Sequence, residues 1–202
     1  MYNIRIWLIS LVLGALLVTD AAFGQSIKIN FQPRGRPIPA GYLPDYGEVF
    51  GDRGNSYSYG WDRDITGDAR DRNVRTDQRY DTLVQFYEGG VPKTWEIALP
   101  NGGYTLFIAC GDPMYNDQIN TIDVEGIVVT DLNGRSYTDE YNVTALLSDG
   151  RLTIKPAPGG SKCKLMFLHI DRIVIPKAYN PVPADKAVLP STSASLSWTP
   201  GD

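Results

Sequence analysis

"TWEIALPNGGYTLFIACGDP", residues 94–113, decides the fold. Two β-prone runs, Thr94–Leu99 and Tyr104–Cys110, flank "PNGG" (Pro100–Gly103), where Asn-Gly tolerates positive φ and predicts a tight hairpin. The same grammar extends both ways. "SIKINF" (26–31), "TLVQFY" (82–87), "TIDVEGIVVTD" (121–131), "EYNVTALL" (140–147), "RLTIKP" (151–156) and "CKLMFLHIDRIVI" (163–175) all read as strands. "SDG" (148–150) is a second turn signal, and "QPRGRPIPAGYLPDYG" (32–47) reads as a Pro/Gly loop without regular structure. No window holds a long helical period. Many short strands with a turn about every ten residues predict an all-β fold, an antiparallel two-sheet jelly-roll sandwich over residues 25–176.

The flanks differ from this body. Residues 1–24 combine Arg5, the apolar run "IWLISLVLGALLV" (6–18) and small residues at "AAFG", which predicts a cleaved secretory signal rather than a membrane span. Removing it takes away Arg5 and Asp20, so the formal charge stays at −4. A mildly acidic, secreted or cell-surface chain is a poor partner for nucleic acid or anionic lipid. Residues 177–202 turn Pro/Ser/Ala-rich and end on "ASLSWTPGD", which reads as a linker and the first strand of a further immunoglobulin- or fibronectin-like domain. Covalently linked downstream domains are expected. Cys110 and Cys163 each sit in a strand-like run, and disulfide and buried free thiol both stand as readings.

Catalytic signatures are missing from this sequence. His169 lies in the apolar run "LMFLHIDRI" and reads as a structural residue, with no nucleophile marked opposite it. A carboxylate pair would suit a glycosidase or lyase, but spacing in sequence does not measure a cleft. "DRDITGDARDRN" (62–73) opens like a calcium loop yet has Asn73 where a bidentate Glu belongs. It reads better as a surface loop locked by Asp–Arg pairs. No cofactor is implied; a single structural calcium ion stays open.

Sugars are gripped by aromatic faces and flanking hydrogen-bonding side chains, work that Tyr and Trp suit. Loop tyrosines are frequent here: Tyr42, Tyr46, Tyr57, Tyr59 and Tyr115. In "GNSYSYGWDRD" (54–64), Trp61 reads as packing while Tyr57 and Tyr59 read as exposed. "IKINFQP", "TWEIALPNGGYTLFIACGDP", "INTIDVEGIVV", "VTALLSDGRLTI" and "KLMFLHIDRIVI", in that order, resemble malectin-like and galactose-binding-like modules of large secreted bacterial proteins. The resemblance implies a carbohydrate-binding sandwich with its ligand loop after "IAC", which places Asp112, Tyr115, Asn116 and Asp117 beside Tyr57 and Tyr59 as candidate ligand residues. The expected function is non-catalytic binding of a polysaccharide or glycan. The rivals are a structural or adhesion spacer and a carboxylate-based glycosidase or lyase.

Overall fold

The computed structural model describes residues 26–88, 90–174, 179–182 and 197–199; the signal segment expected at 1–24 lies outside them. The strands are β1 (Ile27–Phe31), β2 (Leu43–Asp45), β3 (Gly51–Asp52), β4 (Ser58–Trp61), β5 (Ala69–Asp71), β6 (Thr82–Gln85), β7 (Tyr87–Glu88), β8 (Val91–Pro92) and β9 (Trp95–Ala98). They continue as β10 (Gly102–Gly111), β11 (Ile122–Val124), β12 (Ile127–Val129), β13 (Thr138–Leu147), β14 (Arg151–Pro156), β15 (Lys164–Arg172), β16 (Tyr179–Val182) and β17 (Ser197–Thr199).

Two sheets face each other. One runs β13-β10-β15-β1-β2, with β6 on β15 and β5 on β6; the other runs β12-β11-β14-β9-β4-β3. Pairing is antiparallel apart from β1 with β2. Period-two patterning explains the core between them. Tyr104, Leu106, Ile108 and Cys110 of β10, and Val143, Ala145 and Leu147 of β13, point inward against Trp95 and Ile97 of β9 and Leu152 and Ile154 of β14. The fold is therefore the two-sheet β-sandwich that the strand pattern predicts.

The "PNGG" turn is not a hairpin. β9 and β10 lie in different sheets, so the chain crosses the sandwich there, and it crosses back at "SDG" between β13 and β14. Asn101 fastens the two crossings: its Nδ2 donates to the Ser148 carbonyl (3.0 Å) and its Oδ1 accepts from Gly150 N–H (2.8 Å). Turn chemistry specifies a reversal but not the sheet that receives the next strand. "TIDVEGIVVTD" is likewise two strands, β11 and β12, reversed at Glu125 (φ 53°) and Gly126 (φ 80°). The Pro/Gly loop also contains β2, held by β1.

Tyr57, Tyr59 and Trp61 do share one side of an extended segment, but that side is the inner face. Trp61 is fully buried, Tyr59 is 1% exposed and Tyr57 packs half-buried against the same core. The expected exposure of Tyr59 is thus overturned: β4 pairs with β9 at Tyr59↔Ile97 and Trp61↔Trp95, which turns its rings inward. Phe31 meets Trp61 and Trp95 edge-on at 5.9 and 5.6 Å.

Residues 165–168 are apolar on both faces because both are covered, whereas Ile173 and Val174 beyond them are exposed. Leu165, Leu168 and Ile170 enter the main core. Met166 and Phe167 join Leu83 and Ala109 in a second cluster on the outer face, roofed by Tyr42 and Tyr80. Cys110 and Cys163 are buried free thiols; Cys163 Sγ donates to the Ile119 carbonyl at 3.2 Å, and burial pushes its pKa up to about 12. β16, inside the stretch read as a linker, pairs with β17, inside "ASLSWTPGD".

Candidate functional site

The loop that follows β10 is built from the inside. At Ala109/Cys110 the register with β15 shifts, and the chain leaves the sheet at Gly111. Gly111 has φ +136°, and a Cβ there would meet the Tyr137 carbonyl oxygen at 2.3 Å, so only glycine fits. Asp112 is then buried. Arg72, beyond β5, grips its carboxylate with a fork: Nε to Oδ1 at 3.0 Å and Nη2 to Oδ2 at 2.5 Å. Met114 N–H also donates to Oδ1 at 3.0 Å, and Lys164 Nζ lies 3.5 Å from Oδ2.

The other end of the loop is tied as firmly. Gln118 is buried and donates to the carbonyls of Tyr115 (3.0 Å) and Ser136 (2.5 Å). Lys164 Nζ donates to Gln118 Oε1 at 2.9 Å and to Asp117 Oδ1 at 3.3 Å. Ile119 and Ser161 exchange both backbone hydrogen bonds, at 2.7 and 2.9 Å. Asp117 Oδ2 accepts from Lys162 at 2.5 Å, and that bond, with Lys164 nearby, holds its carboxyl below the ordinary carboxylate value.

Over this frame lies an open cleft of about 250 Å³, lined by Arg70, Arg72, Gln85, Tyr115, Asp117, Lys162 and Lys164. Tyr115 is 49% exposed, with the Arg72 guanidinium 4.9 Å and the Lys164 ammonium 6.0 Å from its ring centroid. The ring is braced by its neighbours while half of it meets solvent, which suits stacking on a ligand.

Of the candidate residues, the structure brings Tyr115 and Asp117 together in this cleft. Asp112 lies beneath it with both oxygens spent on protein donors, so it positions Arg72 rather than meeting a ligand. Asn116 is exposed on the same loop but does not line the cleft. Tyr59 lies elsewhere, its hydroxyl in a second hollow with Arg34, Tyr46, Glu48, Arg53 and Asn55. Sequence reasoning missed Arg70, Arg72, Lys162 and Lys164 as site residues; they come from two segments some ninety residues apart, which only the β6–β15 pairing joins.

The Asp–Arg run pairs within itself only locally, and its long-range pairs reach outside it, Arg72 to Asp112 and Asp68 to Lys93. Asp62 pairs with Arg63, Asp77 with Arg79 and Asp71 with Arg36, while Asp64 accepts from Thr66 N–H. A larger hollow of about 480 Å³ opens between residues 129–133 and 138–141. Two of its three acids are held by the protein, Asp131 accepting from Asn120 and Gly134 N–H and Asp139 from Asn120 Nδ2 and Ser136 Oγ; the exposed Glu140 accepts from the Tyr80 hydroxyl at Oε1.

No family model matches the chain, and no curated protein matches it. Solved structures are similar to it. Protein YxiM of Bacillus subtilis is 20% identical with a TM-score of 0.51, over 74% of this chain and 40% of that one. A Bacteroides uniformis beta-glucuronidase is 15% identical at 0.50, over 75% of this chain and 18% of the enzyme. The plant receptor-like kinase FER is 9% identical at 0.51, over 77% and 43%. The chain thus spans less than half the length of each, and at such identities the shared feature is the β-sandwich.

Proposed function

We propose that residues 25–176 form a non-catalytic carbohydrate-binding module of a larger secreted protein, with the glycan held in the Tyr115 cleft. The observation that carries this reading is the Tyr115 ring, half exposed beside Asp117, Gln85 and Arg70 on a loop locked from below. A preorganised aromatic face with convergent polar groups binds a sugar without ordering a loop. Such a module raises the effective concentration of an attached domain near its polysaccharide. The commitment of Asp112 and Asp117 to protein donors argues against a carboxylate hydrolase in the Tyr115 cleft.

One observation favours the spacer reading. The loop tyrosines scatter: Tyr42 packs on Phe167 and His169, Tyr46 lies under Arg34, Tyr57 packs against the core, Tyr59 is buried, and of these five rings Tyr115 alone lines this cleft. A glycan panel with the purified chain separates the two readings. Saturable binding lost in Tyr115→Ala supports the module, and silence from a folded sample supports the spacer.

A further inference from the structure

The Tyr115 cleft is electropositive on an acidic protein. Among the described residues, Arg70, Arg72, Lys162 and Lys164 converge there on two carboxylates, Asp117 in the wall and Asp112 below. The whole chain carries a formal −4. Burial amplifies the effect. Lys164 is 3% exposed at its side chain and Arg72 15%, so solvent screens them less than surface charges.

Arg70 is the group placed to use this charge. Its Nη1 donates to the carbonyls of Gly67 (2.6 Å) and Ala69 (2.8 Å). These bonds consume both Nη1 protons and set the plane of the guanidinium. Its Nε and Nη2 have no acceptor among the described residues, and Arg70 pairs with no carboxylate among them. The Nε/Nη2 edge is the one with which Arg72 grips Asp112 two residues away. This segment thus carries one guanidinium satisfied by the protein and a second, in the cleft wall, with the same edge unfilled among the described residues. Planar two-point recognition of an oxyanion is what that edge supplies.

We infer that the cleft selects a glycan bearing an anionic group, a uronate carboxylate or a sulfate ester, with Arg70 receiving the oxyanion and Tyr115 stacking on the sugar ring. The inference rests on the carbohydrate reading above and narrows its ligand class.

The test uses the full mature chain and matched probes: polygalacturonate against neutral galactan, and dextran sulfate against dextran. Binding to at least one anionic polymer and not to its neutral partner is expected, weakening as salt rises from about 0.05 M to about 0.5 M. Arg70→Gln should weaken it roughly 10- to 100-fold, the range for a charge-assisted pair, in a protein that still melts cooperatively. Preference for polygalacturonate assigns the carboxylate; preference for dextran sulfate assigns the sulfate ester. Equal binding of neutral and anionic polymers, lost in Tyr115→Ala but untouched in Arg70→Gln, overturns the anion assignment and leaves the sugar module standing. Anionic binding that survives both substitutions overturns it as non-specific charge attraction. No binding to any of the four polymers by folded protein overturns both readings.

Discussion

Asp45 shows how much one residue can hold. It ends β2, is 1% exposed, and accepts from both core indoles, Trp61 Nε1 at 2.8 Å and Trp95 Nε1 at 2.9 Å, and from Gly47 N–H at 2.8 Å. Burial raises its carboxyl above the usual carboxylate value, against the lowering effect of those bonds. Asp45→Ala leaves three buried donors unmet and should cost about 3–5 kcal/mol, read as a lower urea midpoint. Gly111 is the second such position. Gly111→Ala sets a Cβ against the Tyr137 carbonyl and forces a residue with a side chain to φ +136°, so it should cost about 1–3 kcal/mol or more. Calorimetry checks that loss, and a Gly126→Ala control, whose Cβ has open space, separates backbone strain from the clash.

At the scale of an element, β15 carries a pH response. His169 is half buried on its outer face, among Tyr42, Phe107 and Phe167. Arg79 donates to the Tyr42 hydroxyl at 3.4 Å, and that hydroxyl meets His169 Nε2 at 2.5 Å. Burial, then Lys28 and Arg79, lowers the histidine's pKa below 6.5, with Asp171 opposing. A lowered pKa means that the unfolded chain takes up the proton first. The contribution of His169 to stability is therefore complete above pH 6.5 and is lost as pH falls through its folded value. His169→Gln should shrink the stability difference between about pH 7.5 and about pH 5, measured by urea denaturation at both. An unchanged difference would place the acid response on carboxylates instead.

Across the whole molecule, the buried ion pairs of the cleft and its exposed ring should separate under mutation. Asp112→Ala strips the acceptor from Arg72 and a neighbour from Lys164, both largely buried, and should destabilise the domain by about 3–5 kcal/mol. Tyr115→Ala removes a ring that is 49% exposed and should change stability by about 1 kcal/mol or less while abolishing glycan binding. Thermal melts alongside binding isotherms test the division; equal destabilisation by both would mean that Tyr115 is a packing residue.

The sequence by itself determined the longer strands and the all-β class, because the alternation of apolar side chains is a local property that burial reads directly. It also marked the loop after β10 and its Tyr115 and Asp117. Tertiary structure alone decided which sheet receives each strand, that the alternating rings at Tyr57, Tyr59 and Trp61 face inward, and that Asp112 supports the site from below. It also brought Arg70 and Arg72 to Lys162 and Lys164. Periodicity tells that residues share a side without telling which side is covered. A charge gains a partner only when strands distant in the chain, such as β6 and β15, lie next to each other.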